Sequence, residues 1–137
     1  IEDKPEVTAV AEIIEQDLAI DIIRYNHRSM QGEIELKKEI LISLGSELEP
    51  KRKELQVLNK QLSEDIFFML NNMNLRHNNR SKKDMGKYKE YVAKMTKARL
   101  EKWYDELYQM MLLAFLLLDN VDRTENVKEL KEKIIGG

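Results

Sequence analysis

The sequence predicts an all-α fold, an antiparallel bundle of four to six helices. Three observations carry that expectation. Glycine and proline are scarce, 5 and 2 among 137 residues, which leaves little punctuation for short strands. Apolar residues recur at steps of three and four, the period of one helix face. The run Met110 to Leu118 is apolar all round, as expected of a helix enclosed by others.

The elements follow in order. Pro5 suits a first helical turn, where its missing N–H costs nothing. Val7, Val10, Ile14, Leu18, Ile22 and Tyr25 then form one stripe, so one helix is expected to about Ser29, with Glu12, Glu15, Asp17 and Asp21 on its polar faces. Gly32 interrupts or bends it. Ile34, Ile40, Leu41 and Leu44 resume the pattern, and Gly45 reads as a helix-ending residue. Ser46 and Glu49 have the spacing of a capping box, with Pro50 next to it. The cleanest stripe is Leu55, Leu58, Leu62, Ile66, Met69 and Met73, widened by Phe67 and Phe68. A loop is expected from about Asn74 to Asp84, with Asp84 capping the helix that carries Tyr88, Val92 and Met95. In the helix from Arg99 to Asp119, Trp103, Leu107, Met110, Ala114 and Leu118 line the buried face, with Tyr104, Met111 and Phe115 beside them. Thr124 starts a short closing helix with Val127, Leu130 and Ile134 on one side.

A single domain over residues 1–137 is expected, excised from a longer protein, since the chain begins at Ile1. The absence of cysteine excludes disulfides, thiolate metal sites and cysteine nucleophiles, and it suits a cytoplasmic protein. Met110 to Leu118 is too short to span a bilayer, so no membrane partner is expected.

Net charge is −2, but unevenly spread. Residues 1–23 hold seven carboxylates against Lys4, whereas residues 76–102 hold ten Lys or Arg against three carboxylates. Such a split fits intramolecular docking, a homo-oligomer or an anionic partner for the basic part.

Known metal and cofactor patterns are missing. Glu does not stand three residues before His27 or His77, so di-iron bundle spacing is absent, and no zinc-hydrolase or phosphate-loop motif occurs. No cofactor and no metal site are therefore expected. Asp17, Asp21, Arg24, Arg28 and His27 read chiefly as a solvated helix face.

The segment Asn71 to Lys83 is the functional candidate. Asn is a poor helix-interior residue, yet five accompany Arg76, His77 and Arg80 where a long amphipathic helix ends. These side chains suit a turn that binds phosphate or bases, or a helix end capped by basic groups. Around Arg76-His77 the chain resembles the HEPN superfamily, small all-α bundles of bacterial defence and toxin–antitoxin systems. The resemblance implies a site of Arg76 and His77, with Asn78, Asn79, Arg80, Lys82 and Lys83 holding RNA. The family's further histidine would fall at Ser81, Lys82 or Lys83, so the resemblance implies residual or absent ribonuclease activity. A rival expectation is a non-enzymatic protein-interaction module, suggested by seven methionines, Phe67-Phe68 and the acidic N-terminal segment. Lys87, Tyr88, Lys89, Tyr91 and Lys94 also suit stacking on single-stranded nucleic acid, provided both rings are exposed.

Overall fold

The structure, a computed structural model, describes residues 4–14 and 16–136. Glu2, Asp3 and Glu15, part of the acidic N-terminal segment, lie outside the described residues. The chain forms α1 (Pro5–Ile13), α2 (Gln16–Tyr25), α3 (Ile34–Leu48), α4 (Arg52–Leu58), α5 (Lys60–Asn72), the single-turn α6 (Glu90–Ala93) and α7 (Lys97–Gly136). Among the described residues there is no strand, and the fold is an all-α helical bundle.

α7 is the axis. α1, α3, α4 and α5 all pack against it, and α2 leans on α1 and α3. The core gathers Val10, Ile22, Leu41, Leu44, Leu55, Ile66, Leu70, Leu107 and Met111, all fully buried. Two tyrosines of α7 fix its neighbours. Tyr108 stacks on Tyr25 with ring centroids 4.1 Å apart and donates to the Ile22 carbonyl at 2.8 Å. Tyr104 donates to the Met73 carbonyl at 2.8 Å, which ties the end of α5 to the axis.

The first long helix is two helices. Ile14 is extended (φ −109°, ψ 169°), which separates α1 from α2 although no Gly or Pro marks the place. Packing decides this break: Val7 and Val10 are buried on α1, and Ile22 and Tyr25 on α2. Gly32 turns the chain at φ +80°, a conformation that glycine adopts without strain.

Gly45 does not end a helix. It lies inside α3, where a Cβ would stand 2.9 Å from both Leu70 methyls, so its role is to let α3 and α5 approach closely. Ser46 does not cap; its hydroxyl bonds back to the Ile42 carbonyl at 3.1 Å. Pro50 sits in a 3₁₀ turn, Glu49–Lys51, that joins α3 to α4. The cap of α5 is Asn59, whose side chain accepts from the Leu62 N–H at 3.0 Å. Asp84 does not cap α6 either. Its carbonyl closes the turn by accepting from Lys87 and Tyr88, and Lys89 precedes the helix.

The largest departure is at the C-terminus. α7 runs unbroken for 40 residues, about 60 Å. Asp119 to Thr124 reads as a terminus because it is polar, yet it contains neither Gly nor Pro. Arg123 pairs with Asp119 one turn earlier, and Thr124 bonds back to the Asn120 carbonyl, so the polar run is helical. Every described residue from 120 to 136 is exposed, which makes this end an arm that the bundle does not cover. The buried face of α7 is shifted only in part from expectation. Leu107 and Ala114 are buried as expected, as are the flanking Tyr104, Met111 and Phe115, and Leu100, Tyr108 and Leu112 join them, while Trp103 and Leu113 point outward and Met110 and Leu116 to Leu118 are half-buried.

Candidate functional site

The Asn-rich segment is a loop with its own internal scaffold. Asn74 takes the left-handed conformation at φ +60°, which Asn tolerates better than most residues. That turn lets its side chain accept from the Arg80 N–H and its own N–H reach Asn79 Oδ1 at 2.8 Å. Asn79 is completely buried. Its amide donates to the Lys87 carbonyl at 2.7 Å, and its own carbonyl accepts from Lys89 at 2.8 Å. Asn79 is therefore the hub that closes residues 74–89 into one unit, with its side-chain polar groups bonded within the chain.

Arg80 is likewise turned inward. Its guanidinium donates to the Met95 and Ala93 carbonyls, at 2.7 and 3.3 Å, satisfying groups at the end of α6. Arg76 reaches the α3–α4 junction. It donates to the Gly45 carbonyl at 3.3 Å, pairs with Glu49 at 3.5 Å and lies over the Phe67 ring. Arg52 covers the same ring at 4.3 Å, so Phe67 is buried between two cations. Of the residues expected to form the site, His77 is half-buried, and Asn78, Lys82 and Lys83 face solvent, with Lys82 over the Tyr88 ring. Arg76, Asn79 and Arg80 thus share the loop with these residues but spend their polar groups on the chain itself. Tyr88 is half-buried and Tyr91 exposed, so the two rings do not form one open stacking platform.

Beside this loop lies an apolar groove between α5 and α7. It encloses about 450 Å³ and is lined chiefly by Phe68, Met69, Met73, Tyr91, Val92 and Trp103. Phe68 is 65 % exposed, Tyr91 70 % and Trp103 40 %. A second hollow of about 250 Å³ extends it along α7 past Met110, with Asp65 and Glu106 at its edge. The loop hub at Asn79 holds α6 in place, and α6 supplies Tyr91 and Val92 to one wall. The groove thus combines adaptable methionines with rigid aromatic rings, the chemistry of a surface that takes an apolar helix face.

One buried ionic cluster was not anticipated. Lys37, 4 % exposed, donates to Asp105 at 2.7 Å and pairs with Glu101 at 2.9 Å; Tyr25 also donates to Asp105, at 2.9 Å. Burial disfavours the Lys37 ammonium, but the hydrogen bonds it donates to Asp105 and Glu101 outweigh that cost and hold its pKa above the ordinary value. Burial likewise works against the Glu101 carboxylate, while Lys37 and the Gly32 N–H bring its pKa below the usual range. Burial, then Asp105, push the Tyr25 hydroxyl far upward, so it stays a donor. A signal existed: Lys37 stands at an apolar-stripe position, three after Ile34 and four before Leu41. By contrast Asp17, Arg24 and Arg28 are exposed and Asp21 is half-buried, as a solvated face would have them.

Among the described residues no group of three or more His, Asp or Glu could hold a metal ion, and no helix is long and apolar enough to cross a membrane. In comparisons with known proteins, no family model, no curated protein and no solved structure matches the chain.

Proposed function

We propose that the chain is a non-enzymatic protein-interaction module that seats an amphipathic helix in the groove between α5 and α7. The observation that carries this reading is the joint exposure of Phe68, Tyr91 and Trp103 around one apolar hollow. Large rings left in water gain stabilisation when covered, on the order of 25 cal/mol per Å² of apolar surface. An amphipathic partner helix presents anchors at i, i+3 and i+7 to such an apolar groove. The RNA-facing, HEPN-like reading retains His77, Asn78, Lys82 and Lys83 as its accessible side chains, because Arg76, Asn79 and Arg80 serve the loop.

A photo-crosslinking amino acid at position 68 and, separately, at position 82 discriminates the two readings in cells that make the protein. Position 68 is expected to give protein adducts, and position 82 none with RNA. RNA adducts at 82 with nothing at 68 would sink the proposal.

A further inference from the structure

From the register of its outward face, we infer that the occupant of the groove is the C-terminal arm of a second copy, in a two-fold antiparallel dimer of α7. This inference rests on the groove reading above and names its partner.

The arm offers what the groove lacks. Residues 120–136 touch no other element closely enough to be covered, and Ile134 and Ile135 are 70 % and 84 % exposed. An apolar stripe on such a helix is an unpaired half of an interface. The arm cannot fold back on its own bundle, because α7 continues through it without a break.

The outward face of α7 keeps alternating steps of three and four from Trp103 to Ile134, the heptad spacing of two packed helices. Near the bundle its positions are Trp103, Glu106, Met110, Leu113 and Leu117. On the arm they are Asn120, Thr124, Val127, Lys131 and Ile134. Leu130 and Ile135 widen the apolar face beside them.

One antiparallel register matches the two sets. Trp103 faces Ile134, Met110 faces Val127 and Leu113 faces Thr124 of the second copy. Glu106 faces Lys131, opposite charges at the two symmetry-related layers where charge occurs. Leu117 faces Asn120 at the centre, a polar position that sets register at some cost. A parallel pairing would put Glu106 on Glu106 and Lys131 on Lys131, which like-charge repulsion disfavours. The antiparallel register also lays Ile134 and Ile135 over the hollow bounded by Phe68, Tyr91 and Trp103, with Lys131 near the groove's acidic edge at Asp65 and Glu106.

The size is adequate. Roughly 33 overlapping residues extend about 50 Å. Four heptad positions in seven, with the α5 wall, give about 20–25 residues a side, within the range of a stable interface.

The chain has no cysteine, so disulfide trapping reads the register directly. Glu106 and Lys131 of one copy lie 25 residues apart on one helix, about 37 Å, so they cannot pair within a chain. The double variant E106C/K131C is expected to form a covalent dimer under mild oxidation, and neither single variant is. In sedimentation of the intact chain, I134D is expected to weaken the dimer at least tenfold, since that residue lies outside the monomer's core. E106K is expected to weaken it similarly, and E106K/K131E to restore it. The crosslinker at position 68 would then yield an adduct of two copies of this chain. A monomeric chain at 100-fold working concentration, with adducts at 68 to a different protein, overturns this inference and leaves the groove reading intact. No adduct at 68 defeats the groove reading itself. A dimer that survives I134D and E106K, or one trapped by E106C alone, overturns the register.

Discussion

The side chain that holds most of the candidate region together is Asn79, a residue whose type suggested a ligand contact. Its amide answers one backbone donor and one backbone acceptor in a site without water access. Asn79→Ala leaves both unpaired and is expected to cost about 2–6 kcal/mol, from roughly 1–3 for each buried group left unsatisfied. Urea unfolding measures it, and exchange of the Lys89 amide should quicken in the same variant. Aspartate in its place keeps the acceptor but sets a carboxylate against the Lys87 carbonyl, so it should not rescue. Lys37 tells a related story through pH. The Glu101 pKa is lower folded than unfolded, so its contribution is present above about pH 4.5 and disappears as pH falls through the depressed value. The Lys37 pKa is higher folded than unfolded, so its contribution is complete below about pH 10.5 and is lost as pH rises through the raised value. Stability should therefore fall off at both the acid and the alkaline end, and Lys37→Met should flatten both limbs. At neutral pH that variant is expected to lose about 1–3 kcal/mol, less than a fully buried pair because Asp105 is half exposed. A pH profile of the urea midpoint in which wild type and variant run parallel would show that the cluster does not carry these limbs.

Helices, rather than their ends, were what the apolar periodicity could reveal. The stripe from Leu62 to Met69 lies on α5, and Asn59 caps it through a side-chain bond that spacing alone did not single out. Gly45 was misread because a glycine near a polar residue looks the same whether it ends a helix or admits a neighbour. Only the approach of Leu70, 25 residues further along the chain and without a local signal, distinguishes the two. Gly45→Val puts a branched side chain against the Leu70 methyls and is expected to cost about 1–3 kcal/mol by overpacking, outweighing any gain in helix propensity. Thermal unfolding of the variant measures this, and a Leu70→Ala background should recover part of the loss. The Asp119–Thr124 run failed for the opposite reason: polar residues lowered the apparent amphipathicity, although nothing in them breaks a helix. An isolated helix of the arm's length is marginal in water. In the monomeric I134D variant, amides of residues 120–136 are therefore expected to exchange far faster than those of residues 100–118.

At the scale of the molecule, composition and periodicity were enough to reveal the all-α bundle, because burying a stripe requires only that helices pack around a common axis. The groove was legible only in part. Its methionines and aromatics could be counted, but whether Trp103 faced the core or the solvent turned on a rotation of α7 set by Tyr104 and Tyr108 reaching backbone carbonyls on distant segments. The same rotation puts the outward face of α7 in line with its arm, and this links stability to association. A folded dimer in equilibrium with unfolded monomers is stabilised by mass action, by about 2.7 kcal/mol when the partner stands at 100 times its dissociation constant. For a domain of this size that amounts to a rise of roughly 5–10 °C in the midpoint. The intact chain should accordingly unfold at a temperature that climbs with protein concentration. I134D should unfold at one temperature at every concentration, close to the dilute limit of the intact chain, because the substitution leaves the bundle's core untouched. Trp103, the chain's one tryptophan, reports the same event optically. Its emission should shift to the blue as the intact protein is concentrated and stay fixed in I134D. Concentration-independent melting of the intact chain, with Trp103 emission unchanged, would mean that the arm and the groove do not meet between copies.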